Sequence, residues 1–275
     1  MRNPAVSVSA HWLVRGDANA DHALMSDHAA AIWQIAYTAT QSRRQDLLAA
    51  LVARTGWIVQ AGPFAGLALP ERASQDDRDA LPKLLGFYES ELHPVLADII
   101  ADAPDLIIDI GAGLGYYACG FARALPEAFV HAFDPAPEVQ ELCRQTAALN
   151  NVNTRVSVAG TCRPDLLNAL LPRGRVPLIV CDCEGQEREL IDPQRVPTLR
   201  SATLVIECHD FVDPSITSLL VERLCPTHEL MGVAEGARNP NESEFLRGLH
   251  SLDRWLAVCE YRPTIMHWLA AQPRG

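Results

Sequence analysis

The chain has no clustered block of lysine and arginine, and its formal charge over 275 residues is −11. Counterion-driven binding to a phosphate backbone needs such clusters, so the composition argues against a nucleic-acid partner. It also lacks an apolar run long enough to cross a bilayer, and residues 1–16 intersperse polar side chains where a secretory signal would be apolar. A soluble, cytoplasmic protein with no membrane association is expected. Paired C-x-x-C spacing is missing too: the eight cysteines (119, 143, 162, 181, 183, 208, 225 and 259) are dispersed, and several fall inside apolar patterns, as reduced core thiols do. Neither a disulfide framework nor a zinc site is expected. No internal repeat or low-complexity tract appears, and the length suits one large α/β domain with an appendage.

What is present divides near residue 85. In residues 1–85 the periodic signal is helical. Ser26 is placed to cap a helix through Thr40, and Ser42-Arg43-Arg44-Gln45 reads as a capping box for a second helix. Leu47, Leu48, Leu51 and Val52 would share one face of it, with Gly56 as its stop. An extended passage, Trp57 to Leu69, is broken by Gly62-Pro63 and Gly66, and an acidic loop follows from Gln75 to Asp79. This part reads as an N-terminal, mostly helical cap or lid.

Residues 86–275 open with a helix near Glu89 to Ala101 and then alternate strand with helix. Strands are expected near 105–110, 129–133, 154–159, 176–182, 203–208, 228–233 and 264–270. Pro137 suits the first turn of a helix ending at Asn150, and Pro214 opens another through Leu224. The polar stretch Glu235 to Glu244 is a lid candidate or a solvated connection.

The run from Asp105 to Asp134 carries the most chemistry. Leu106, Ile107, Ile108 and Ile110 form the apolar run of a strand buried on both faces, and Gly111, Gly113 and Gly115 then let the backbone turn tightly beside a ligand. A helix follows, its N-H groups directed at the same space. The next strand delivers Asp134, placed to accept both hydroxyls of a ribose. A dinucleotide fold wants G-x-G-x-x-G at such a turn; here the spacing is G-x-G-x-G, with Asp109 two residues ahead and Tyr116 where a small residue would be needed. A carboxylate there repels a pyrophosphate but suits the ammonium and sulfonium of S-adenosylmethionine (SAM).

With these elements in place, the chain from about Gly86 onward resembles the class I SAM-dependent methyltransferases and, within them, the FkbM-type enzymes. The resemblance rests on Gly86-Phe87-Tyr88-Glu89, Asp109-Ile110-Gly111-Ala112-Gly113-Leu114-Gly115, Asp182-Cys183-Glu184-Gly185 and Glu207-Cys208-His209. It implies a seven-stranded, doubly wound, Rossmann-like sheet whose final strand runs antiparallel, SAM as methyl donor, and commonly O-methylation of small molecules, with N-methylation as another outcome. Residues 1–80 match no family pattern.

The expected cofactor shell is Gly111, Ala112, Gly113 and Gly115 at the turn, Asp109 toward the methionine end or bracing the loop, and Asp134 with Pro135 at the ribose. The resemblance adds Gly160 and Thr161 at the adenine, and Tyr88 and Glu89 over the methionine end. Asp182 lies between cofactor and acceptor. Asp182 and Glu184, at the end of the fourth strand, and Glu207 and His209, at the end of the fifth, converge where open α/β sheets bind ligands. His209 is the candidate general base, because an imidazole titrates near neutrality and a carboxylate can orient it. The blander roles are a helix cap for Glu184 and a loop hydrogen bond for His209. The four groups could instead hold a divalent cation; base catalysis ranks above that, and no metal is expected. A SAM-binding scaffold without catalysis would have no need of this cluster beside the methyl. An aminopropyl transferase would show a different acidic arrangement, and the glycine spacing disfavours a nicotinamide oxidoreductase. Trp12, Trp33 and the helical cap could form a substrate lid or a homodimer contact.

Overall fold

The computed structural model describes residues 27–72, 77–171 and 176–274. Ser26, Trp12 and the first two residues of the acidic loop lie outside them.

Seven strands form one sheet: β1 (Leu106–Ile110), β2 (Phe129–Phe133), β3 (Val156–Ala159), β4 (Leu178–Cys181), β5 (Thr203–Glu207), β6 (His228–Ala234) and β7 (His267–Pro273). Their order is β3-β2-β1-β4-β5-β7-β6. The first five pair in parallel, while β7 runs antiparallel to both β5 and β6. This is the seven-stranded, doubly wound, Rossmann-like sheet with an antiparallel final strand that was expected. Alternation along each strand separates two cores. Ile107, Val130, Leu178, Val180, Val205 and Trp268 face one hydrophobic layer. Ile108, Ile110, Ile179, Cys181, Leu204 and Ile206 face the other.

The N-terminal part differs from expectation in one respect. A single helix, α1 (Asp27–Thr55), replaces the two expected. The Ser42 capping box lies in its interior. The Thr38 and Thr40 hydroxyls donate back to the Gln34 and Tyr37 carbonyls, so they satisfy themselves without opening a new turn. Arg44 donates to the carbonyls of Arg78 and Cys259. Gly56, at φ +65°, ends the helix as its sequence position suggested, its N-H donating to the Val52 carbonyl at 2.8 Å.

Between α1 and β1 stand α2 (Ala80–Leu85), a short 3-10 turn (Ser90–Leu92) and α3 (His93–Asp102). The extended passage docks through Phe64, 2 % exposed, whose ring makes edge contacts with Tyr116, Tyr117 and Phe121 of α4 (Tyr116–Ala124). A Cβ on Gly120 would lie 2.5 Å from that ring, so this position of α4 accepts only glycine. Losing the Phe64 ring would cost about 3–5 kcal/mol as a core cavity.

Pro137 occupies the first turn of α5 (Pro137–Leu149), and Asn150 ends it while bonding Ala68 through both its amide oxygen and its amide nitrogen. The remaining helices are α6 (Pro164–Leu170), α7 (Glu187–Leu190), α8 (Ile216–Leu224), α9 (Glu244–Arg247) and α10 (Ser251–Ala257). β7 starts three residues later than expected. Its pairing with β6, Ala234 opposite His267, sets the register and leaves residues 261–265 as a loop. The Glu235–Glu244 stretch is anchored at its start. Glu235 N-H bonds the Met266 carbonyl, and Arg238, 8 % exposed, bonds the Phe87 carbonyl and the Glu91 carboxylate and ion-pairs with Glu260.

Candidate functional site

The turn after β1 is built by its neighbours. The N-H groups of Gly111 and Ala112 both donate to the Phe133 carbonyl at 2.9 Å, which folds the chain back over the end of β2. Gly111 sits at φ +84°, and a Cβ there would fall 1.5 Å from the Asp182 carbonyl oxygen. The Asp182 N-H in turn donates to Ile110. The glycine turn and the end of β4 are therefore in backbone contact, and the cofactor and strand-end candidates form one region. Gly113 differs: at φ +54° its missing Cβ has nothing within 4 Å.

Asp109 is 2 % exposed; burial raises its pKa to about 7, opposed by a hydrogen bond from the Ala118 N-H. Its Oδ2 is buried with no hydrogen-bond partner. Asp134 is half-buried; its Oδ2 accepts the Gly113 N-H at 3.2 Å and its Oδ1 the Ala136 N-H at 2.9 Å. Its own N-H reaches the Ala159 carbonyl, so Gly160 and Thr161, both exposed, lie just beyond it, with Pro135 exposed alongside. A buried carboxylate oxygen without a partner, an open glycine and a half-buried Asp across the turn fit a cationic nucleoside such as SAM.

At the ends of β4 and β5 the four expected residues come together. His209, 2 % exposed, places Nε2 at 3.4 Å from Asp182 Oδ1 and 3.6 Å from Glu184 Oε2. Glu184 does not continue the strand: β4 ends at Cys181, and Glu184 stands at φ +54° with its side chain 79 % exposed. Glu207, 3 % exposed, shares a hydrogen bond with Asp182. Burial first, then the nearby carboxylates, pushes both acids up, and Asp182, its side chain 34 % exposed, is the one better placed to ionise. Cys181 and Cys183 bring their sulfurs to 3.4 Å from each other, Cys181 packing in the apolar layer opposite Asp182's contacts.

Three residues that the sequence reading missed complete the region. Glu187, with no exposed side-chain surface, accepts from His209 Nδ1 at 2.6 Å. Burial lowers the charged state of His209, but the hydrogen bond to Glu187 and the carboxylates of Asp182 and Glu184 outweigh it, so its pKa lies above the ordinary value. Arg262, just before β7, bonds Glu207 at 2.5 Å, Glu89 at 3.0 Å and Glu260 at 2.9 Å. Tyr117 donates to the other oxygen of Glu89. Glu89, at φ +46° and 2 % exposed, is thereby engaged at both oxygens, and Tyr88 packs edge-on against Tyr116 with the Lys83 ammonium 4.5 Å above its ring. The only local hint of Glu187 was its place in the polar run after β4; Arg262 comes from the far end of the chain and had none.

Among the described residues, Asp182, Glu207 and His209 bring one ligand atom each within 4.8 Å of one another, close enough for a divalent cation. The Arg262 guanidinium already occupies Glu207 Oε1. An open cavity of about 590 Å³ lies beside Arg262, lined by Glu235, Arg238, Glu260, Tyr261 and Ile265 among others; Asp109, Asp134, Asp182 and His209 do not line it.

No family model matches the chain. The release factor glutamine methyltransferase of Deinococcus radiodurans is 33 % identical over 86 residues, which is 30 % of this chain and 30 % of that protein. The chain thus matches under a third of the length of this curated relative. Among solved structures, the O-methyltransferase TomG from Streptomyces achromogenes, in complex with SAM, aligns at a TM-score of 0.46 and 16 % identity over 68 % of this chain and 80 % of its own. An O-methyltransferase from Bacillus cereus, in complex with S-adenosylhomocysteine (SAH), aligns at 0.45 and 13 % over 85 % and 91 %. An rRNA methylase from Streptococcus thermophilus aligns at 0.46 and 12 % over 67 % and 97 %. Among the described residues no helix is long and apolar enough to cross a membrane.

Proposed function

We propose that this chain is a cytoplasmic, FkbM-like, SAM-dependent methyltransferase that methylates a small molecule, with a hydroxyl as the favoured acceptor. The observation that carries the reading is the position of His209: a buried imidazole at the end of β5, held at Nδ1 by Glu187 and open at Nε2 toward Asp182, whose backbone touches the glycine turn. SAM, when bound, supplies a methyl group already activated on a sulfonium. What remains for the chain is to hold the acceptor in line and take its proton.

In this reading Asp109 receives the cationic methionine end, its Oδ2 gaining the partner it lacks. Asp134 turns its carboxylate to the ribose hydroxyls, exchanging the long contact to Gly113. Gly160 and Thr161 border the adenine. His209 Nε2 accepts the proton of the acceptor hydroxyl, while Asp182 and Glu184 stabilise the imidazolium that forms. Glu207, protonated and bonded to Asp182 and Arg262, holds the geometry without adding a further negative charge. A scaffold that only binds SAM would gain nothing from an imidazole held at Nδ1 and left open at Nε2.

Titration calorimetry with SAH and with NAD tests the cofactor assignment. SAH is expected to bind and NAD not to bind with comparable affinity, because Asp109 repels a pyrophosphate at the turn. Tighter binding of NAD would sink the proposal.

A further inference from the structure

Glu187 was not among the residues that the strand pattern singled out, yet it is the most enclosed carboxylate in the region. Its Oε1 lies 2.6 Å from His209 Nδ1 and 3.3 Å from the N-H groups of both Cys183 and Gly185, with the Cys183 sulfur at 3.5 Å. Its Oε2 is buried with no partner. All four contacts converge on one oxygen, and an ionised carboxylate can only accept. His209 Nδ1 must therefore carry a proton, which leaves the Nε2 lone pair of the neutral ring directed at Asp182 and Glu184.

From this geometry we infer that Glu187 is a positioning residue: it selects the Nδ1-H tautomer of His209 and so fixes which nitrogen faces the acceptor. The inference rests on His209 being the base proposed above. Burial works against the charge on Glu187, but the hydrogen bond and charge of His209 and the backbone N-H groups outweigh it, so its pKa is lowered and it stays ionised at neutral pH. A base in the other tautomer would present Nε2-H to the acceptor and could not accept its proton. The groups facing His209 are Glu187 on Nδ1, Asp182 and Glu184 on Nε2, and the Phe211 ring at its edge.

The test is nitrogen NMR of the full chain labelled at histidine, titrated with pH in the wild type, Glu187→Gln and Glu187→Ala. An amide at 187 keeps an oxygen for Nδ1-H, Cys183 and Gly185 but loses the charge. Glu187→Gln is therefore expected to retain the Nδ1-H tautomer while His209 titrates lower by about one pH unit. Glu187→Ala removes the acceptor, and a substantial Nε2-H population should appear in the neutral ring. A contact that merely packs would leave both the titration and the tautomer of His209 as in the wild type, and that result overturns the inference. Should Glu187→Ala fail to fold, the shift in the isosteric Glu187→Gln decides alone. The readout needs no acceptor, so an unaltered His209 resonance refutes the role of Glu187, whereas a failed base assignment appears only in turnover of His209 variants.

Discussion

The glycine turn after β1 and the polar cluster beyond β4 and β5 touch through the Asp182 carbonyl, yet they are made in opposite ways. The turn is local. Asp109, the three glycines and Asp134 lie within one stretch of the chain, and their roles follow from backbone conformations that neighbouring residues impose. The cluster is assembled. Glu207 ends β5 and His209 lies just past it, Asp182 comes from the loop after β4, Glu187 from the start of α7, Glu89 from ahead of α3, and Arg262 from the loop before β7. Under the proposed function the two regions divide the labour: the local turn binds, and the assembled cluster reacts.

The largest effect that would test this division is on chemistry. His209→Ala should lower methyl transfer to the wild-type acceptor by roughly 10²- to 10⁴-fold while leaving SAM affinity within about threefold. The pH dependence has a definite sign. The imidazolium cannot accept a proton and His209 titrates above its ordinary value, so wild-type turnover should rise with pH through that point and the variant should lose the rise. Wild-type turnover with an unchanged pH profile would make His209 structural.

Next in size is the backbone contact that joins the two regions. Gly111→Ala forces a methyl into the Asp182 carbonyl at a left-handed φ, and should destabilise the chain by about 2–5 kcal/mol in denaturant unfolding, strain and overpacking together. Gly113→Ala meets no neighbour and should cost only the conformational strain, about 1–2 kcal/mol. Equal losses at the two positions would mean that the Asp182 contact does not constrain the turn.

A smaller effect is expected at the ribose end. Asp134→Ala should weaken SAM binding by about 1–3 kcal/mol, the usual loss for a hydrogen bond to a charged group, without abolishing turnover at saturating SAM. An unchanged dissociation constant would place the ribose elsewhere. The smallest effect should come from chelators, since Arg262 already occupies Glu207 Oε1, one of the three candidate cation ligands. Inactivation by EDTA with rescue by a divalent cation would move Asp182, Glu207 and His209 from base catalysis to metal binding.

How far each region was legible follows from the same contrast. All seven strands could be placed; β1, β4 and β5 were the plainest, because a strand buried on both faces leaves a continuous apolar signal. The end of β7 and the join within α1 were misplaced. In the first case the partner strand set the register, and in the second the helix runs on from Asp27 to Thr55 through the Ser42 capping pattern. His209, Asp182 and Glu207 stood out because strand ends in such sheets converge. Glu187 and Arg262 did not, since neither lies on a strand whose alternation could announce it.

The sequence by itself determined the sheet, the turn and the acid that precedes it, since each depends on the preferences of residues close together in the chain: glycine where φ is positive, branched apolar residues in buried strands, proline at a helix start. The tertiary structure alone decided which carboxylate holds His209, which guanidinium bonds Glu207, and why Gly111 in particular must lack a side chain. Those outcomes depend on burial and on distances of a few ångströms between segments far apart in the chain, and no local preference encodes either.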